Sequence, residues 1–158
     1  MKFNYPDDSL ALHTDAYELS MMQTYWKQGL ANRRAVFEAF FRKMPFQNGY
    51  AVFAGLDHII RYVKQLHFTD SDIDYLKSTG QYDDDFLEYL RDFKFTGSIR
   101  SFEEGDFVFN HEPIFQVDAP IIEGQLIETA VLNILNYQIM VATEASRIKS
   151  IVGDQRVV

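Results

Sequence analysis

The stretch "FTGSIRSFEEGDFVFNHEPIFQVDAP", Phe95–Pro120, decides which fold class this chain can adopt. Three short apolar runs, Ile99–Phe102, Phe107–Phe109 and Ile114–Val117, are separated by "EEGD" and "NHEP", two clusters of turn-forming residues. That punctuation predicts turn-linked strands. The flanking sequence on both sides is dominated by helical periodicity, so the chain as a whole reads as an α+β domain.

Downstream, Pro120 suits the first position of a helix, and a helical region runs from Ile121 to about Val152. It is too apolar all round for a surface helix and is expected to lie between layers, broken near Asn136-Tyr137. The closing "GDQRVV" reads as a turn entering a new strand at Arg156–Val158. A strand that short cannot stand alone, so the sequence is expected to be the N-terminal part of a longer protein.

Upstream, "YDDDF" supplies acids for a helix N-terminus, with Leu87, Leu90 and Phe93 as its buried side. Before it, Thr69 or Ser71 caps another short helix that ends near Gly80. A longer helix is predicted from about Tyr50, with Val52, Leu56, Ile59, Ile60 and Val63 at helical spacing. "RAVFEAFFRKMP" alternates as a strand does, with both faces partly apolar, so it is expected to be covered on two sides, with Glu38 and Arg42 as a same-face pair. Pro45 and the turn-prone Asn48-Gly49 follow. In "HTDAYELSMMQTYWKQG" Asp15 can cap a helix whose third position is Glu18, and Gly29 can end it.

Composition narrows the function. The 158 residues are 47% hydrophobic and 24% charged, enough for one sizeable core. There is no cysteine, which excludes disulfides, thiolate metal sites and a cysteine nucleophile and agrees with a reducing, cytoplasmic setting. The opening "MKFNYPDDSL" lacks the apolar run of a signal peptide. The most apolar region is interrupted by Glu123, Glu128, Asn133, Asn136 and Glu144, so no membrane span is expected. A net charge of −8 argues against nucleic acid as a partner. Local basic pairs, Arg33-Arg34 and Arg42-Lys43, can still neutralise a small anion.

Candidate chemistry is sparse. Tyr17 can offer its ring to a flat heterocycle at a helix entry, or serve as a core or interface tyrosine. Asp15 is explained by capping, and Thr14 can exchange roles with it. Arg42 and Lys43, where a strand ends before Pro45, can reach a phosphate or carboxylate; alternatively they are a solvated strand end, with Arg42 paired to Glu38. The histidines, His13, His58, His67 and His111, lack metal-ligand spacing. The run Asp83-Asp84-Asp85 lacks the spacing of a calcium loop, and no glycine-rich phosphate loop occurs. No catalytic triad or acid–base pair can be assembled, so neither a metal nor a catalytic residue is assigned here.

The ordered segments "HTDAYELSMMQTYW", "RAVFEAFFRKMPFQNGYAVFAGL" and "FLEYLRDFKFTGSIRSFEEGDFVFNHEPIFQVDAPIIEGQLIETAVLNILNYQIMVATEASRI" resemble the N-terminal region of the nicotinate phosphoribosyltransferase family. T-D-x-Y-E, F-F-R-K-x-P-F with a following G-Y-A-x-x-A-G-L, and L-N-I-L-N-Y-Q carry the resemblance jointly, over almost the whole chain.

The resemblance implies a type II phosphoribosyltransferase architecture: residues 1–120 would be an N-terminal α+β substrate-binding and dimerisation domain, and residues 121–158 the helices and first strand that lead into an irregular α/β barrel. The family joins nicotinate to the ribose of phosphoribosyl pyrophosphate, giving nicotinate mononucleotide and pyrophosphate in NAD biosynthesis. ATP hydrolysis is coupled through a phosphorylated histidine, with Mg2+. It also implies a homodimer whose sites combine one subunit's barrel with the other's N-terminal domain. Carried over by motif, Tyr17 would stack on the pyridine ring across the dimer interface, Asp15 would border that pocket, and Arg42 or Lys43 would approach phosphate. The family's phosphorylated histidine and most phosphoribosyl-binding residues lie beyond Val158, so this chain alone is expected to bind no ATP and show no turnover. A non-catalytic assembly module, and a sister phosphoribosyltransferase acting on nicotinamide or quinolinate, are the alternatives.

Overall fold

The computed structural model describes residues 9–47 and 49–153. The strand expected at Arg156–Val158 and the Asn48 half of the expected turn lie outside them.

Among the described residues, five strands and five α-helices form in the order α1 (Ala16–Lys27), β1 (Arg34–Ala39), β2 (Ala51–Val52), α2 (Leu56–Gln65), α3 (Asp70–Ser78), α4 (Asp84–Arg91), β3 (Ser98–Ser101), β4 (Phe107–Val108), β5 (Phe115–Pro120) and α5 (Ile121–Val152). A short 3-10 turn, Pro45–Gln47, sits between β1 and β2. The α+β reading holds. The three turn-linked strands appear where the apolar runs were, each shifted by a residue or a few.

β5 is the centre of an antiparallel three-stranded sheet, ordered β1-β5-β3, while β2 and β4 form a separate two-stranded pair. Alternation along β5 is strict: Phe115, Val117 and Ala119 are buried, and Gln116, Asp118 and Pro120 are less so. In register they meet Ala39, Phe37 and Ala35 of β1, so one face of the sheet is apolar. α5 packs on this sheet and on α1, α2 and β2. Ile122, Leu126, Ile127, Ala130, Val131, Leu135 and Ile139 are its buried side. Close approach requires Gly124: a Cβ there would lie 2.3 Å from Cε2 of Phe37.

β1 corrects one expectation. Only one of its faces is covered; Val36, Glu38 and Phe40 on the other are exposed. Glu38 does not pair with Arg42. Its Oε1 accepts instead from Nε2 of Gln116 across the strand pair at 2.6 Å, because cross-strand neighbours on one face are closer than a residue four positions on. Arg34 likewise pairs with Asp118 on that polar face at 2.8 Å.

The helix expected from Tyr50 starts only at Leu56. Ala51 and Val52 are drawn into pairing with Val108 and Phe107, and Gly55, at φ +114°, turns the chain into α2. The Glu104 carboxylate accepts from the amides of Gly55 (3.0 Å) and Asp57 (3.3 Å) at that entrance. α3 and α4 begin at Asp70 and Asp84 with Thr69 and Asp83 as their N-caps, so of the two caps expected for α3, Thr69 or Ser71, it is Thr69 that serves.

α5 is one unbroken helix of 32 residues, not interrupted at Asn136-Tyr137. It is largely buried from Ile122 to Val131. Beyond Val131 many apolar residues face outward, including Leu132, Tyr137, Met140, Val141 and Ile151, so the helix is only partly between layers. Its length and apolar content alone would suffice to cross a membrane, but its buried side is the core of this sheet-and-helix body.

Candidate functional site

The T-D-x-Y-E segment is fixed by local chemistry. Asp15 sits at the N-cap of α1 in extended backbone (φ −81°, ψ 143°), and Oε2 of Glu18, three residues on, accepts from its amide at 3.3 Å. The Thr14 hydroxyl donates to the same Oε2. Asp15 is also tied to α5: its Oδ2 accepts from the Thr129 hydroxyl at 3.1 Å. α1 packs along α5, so this helix entry is held against the long helix.

Tyr17, in the first turn, is 53% exposed. It stands at an open groove of ≈ 530 Å³ together with Asp15, with Ala39, Phe40 and Phe41 at the end of β1, with Ile114, and with a row from α5 that includes Glu128, Thr129, Leu132, Asn133 and Asn136. A half-exposed aromatic beside a mixed apolar and amide surface can receive a flat ring, with polar groups to orient it. Partial burial first, then the charges of Glu128, Glu18 and Asp15, raise the Tyr17 phenol above its ordinary value, so it stays a protonated donor near neutrality.

Asp15 and Tyr17, the two residues of the T-D-x-Y-E segment singled out in the sequence, line the same groove. Arg42 and Lys43 are not among its lining residues. Both are exposed just beyond Phe41, on the loop that leads to Phe46. Phe46 has left-handed backbone (φ 58°), and the Arg147 guanidinium lies 5.3 Å from its ring centroid. The α5 contribution was missed as a site by the sequence reading. Its signal was present: Glu128, Thr129, Asn133 and Asn136 form a polar stripe in an otherwise apolar helix. Glu128, Asn133 and Asn136, read only as interruptions of a membrane span, are together with Thr129 a wall of the groove.

A family model described as the nicotinate phosphoribosyltransferase (NAPRTase) N-terminal domain matches residues 12–136, which include the helix entry, the β1 end and the α5 row. The chain belongs to this family. Nicotinate phosphoribosyltransferase of Bacillus subtilis (strain 168) is 54% identical over 155 residues, 98% of this chain and 32% of that protein. That of Caenorhabditis elegans is 42% identical over 153 residues, 92% of this chain and 27% of that protein. The crystal structure of human nicotinic acid phosphoribosyltransferase superposes with a TM-score of 0.83 at 35% identity, over 90% of this chain and 29% of that one. A nicotinate-nucleotide pyrophosphorylase from Pyrococcus furiosus shares the fold, with a TM-score of 0.58 at 14% identity. The chain thus spans about a third of the length of the curated relatives it matches. Within the NAPRTase N-terminal domain family, the match runs through the groove lined by Asp15 and Tyr17.

Proposed function

We propose that this chain is the nicotinate-recognising N-terminal domain of a nicotinate phosphoribosyltransferase. The whole protein would make nicotinate mononucleotide and pyrophosphate from nicotinate and phosphoribosyl pyrophosphate, with coupled ATP hydrolysis, in the cytoplasmic salvage route to NAD. The reading rests on membership of the NAPRTase N-terminal domain family. The single geometric observation that carries it is the half-exposed Tyr17 ring at a groove it shares with Asp15.

In this proposal residues 1–120 recognise substrate and dimerise, residues 121–158 lead toward a barrel, and Tyr17 stacks on a nicotinate held mainly by the partner subunit's barrel. Displacement at the anomeric carbon of ribose builds positive charge on the sugar, so holding nicotinate in line with the departing pyrophosphate is the contribution asked of this domain. Arg42 and Lys43, exposed at the end of β1, are proposed to approach phosphate. The described residues do not assemble a ligand set for Mg2+: no group of three or more His, Asp or Glu side chains stands together. ATP and Mg2+ are proposed to be held by the part of the protein outside this chain.

The test is Tyr17→Ala in the full-length dimer. The apparent KM for nicotinate should rise about two- to tenfold, the scale of one stacking contact, with a smaller change for the phosphoribosyl donor. Equal, negligible changes in both would remove Tyr17 from the site. Offering nicotinamide and quinolinate in the same assay separates the sister activities. The assembly-module alternative draws on the exposed apolar residues of α5, and predicts no transfer with any of the three.

A further inference from the structure

Glu18 is the most deeply buried acid in the helix entry, with no exposed surface, although it adjoins the half-exposed Tyr17. One carboxyl oxygen is engaged and the other is not. Oε2 accepts from the Thr14 hydroxyl and from the Asp15 amide. Oε1 has no hydrogen-bond partner among the described residues. This asymmetry suits a neutral acid: Oε2 keeps both donors while Oε1 carries the proton, so protonation breaks no contact. Ionisation would bury a charge with one oxygen unsatisfied.

The surroundings agree. The titratable groups facing Glu18 are Asp15 before α1, Tyr17 on α1, Tyr62 on α2 and Glu128 on α5. None supplies a positive charge. Burial raises the Glu18 carboxyl above its ordinary value; the hydrogen bonds from Thr14 and Asp15 oppose this, and the charge of Glu128 reinforces it. Burial, then the charge of Glu18, likewise raises the Tyr62 phenol, whose hydroxyl also has no partner among the described residues.

We propose that Glu18 is the positioning residue of this groove and holds a proton there, so that Tyr17 and Asp15 meet an anionic ligand without a third negative charge beneath them. It acts through Thr14 and Asp15, which its Oε2 fixes, and through Asp15 onto Thr129 of α5. Asp15 and Glu128 already make the groove acidic, while a pyridine carboxylate is itself negative. The inference thus rests on the nicotinate reading above.

The experiment compares the pH dependence of the nicotinate KM in the full-length wild-type enzyme and in Glu18→Gln, which keeps the shape and stays neutral. Wild type should lose affinity about two- to fivefold as pH rises through the ionisation of Glu18, the scale of one added charge beside a solvent-open groove. Glu18→Gln should show no such loss. Carboxyl 13C NMR of wild type, which needs no variant to fold, should show Glu18 titrating above the usual carboxylate range. Matching KM profiles for the two proteins, or an ordinary Glu18 titration, would overturn the inference and leave the nicotinate reading standing. Absence of nicotinate transfer by wild type would overturn both.

Discussion

Two buried carboxyls, Glu18 and Glu123, show how neighbouring donors decide what an acid does. Glu123 is nearly buried, but both its oxygens are engaged: Oε2 accepts from the amides of Thr96 (2.6 Å) and Gly97 (3.2 Å), and Oε1 from the Thr96 hydroxyl (2.8 Å). Glu18 has one idle oxygen and a raised proton affinity. This sets a sign for stability. The folded chain holds the Glu18 proton to higher pH than the unfolded chain does, so stability falls as pH climbs from the ordinary carboxylate range to the raised native value, and is level beyond it. Urea unfolding at a series of pH values should therefore show wild type losing stability relative to Glu18→Gln across that window. Parallel curves would show that burial does not perturb Glu18.

At the scale of elements, the first turn of α5 is anchored to the approach to β3 through Glu123, while its Gly124 admits Phe37 of β1. Glu123→Ala should strand the Thr96 and Gly97 amides and cost about 1–3 kcal/mol of unfolding free energy, read from urea titration. The exposed Lys27–Asp83 pair joining α1 to α4 is the control, and Lys27→Ala should change stability by under about 1 kcal/mol. An equal effect of the two substitutions would refute the anchoring role of Glu123.

The same elements show what a sequence can and cannot reveal. The starts of α1, α3, α4 and α5 were legible because capping is local: Asp15, Thr69, Asp83 and Pro120 each announce a helix within one turn. β2 was not, because two residues become a strand only by pairing with Phe107 and Val108, far along the chain. The Asn136-Tyr137 pair was misread for a related reason. Those side chains are exposed on an intact helix, where their polarity and bulk cost the backbone nothing. Asp15 and Tyr17 were legible as a motif; the α5 half of their groove needed the packing of α1 on α5.

For the whole molecule, the decisive feature is that one helix does two jobs. Up to Val131, α5 fills the core of the sheet; its polar stripe from Glu128 to Asn136 then lines the groove that Tyr17 overlooks. Net charge of −8 and two carboxylates at that groove leave the attraction of the proposed anionic substrate to cations outside the groove, which the proposed second subunit would supply. The most direct measurement is a crystal structure of the full-length protein with nicotinate bound. The account predicts the pyridine ring beside Tyr17, with centroids within the roughly 4.5–7 Å of an aromatic pair. A nicotinate found away from Tyr17 and the α5 stripe would contradict it.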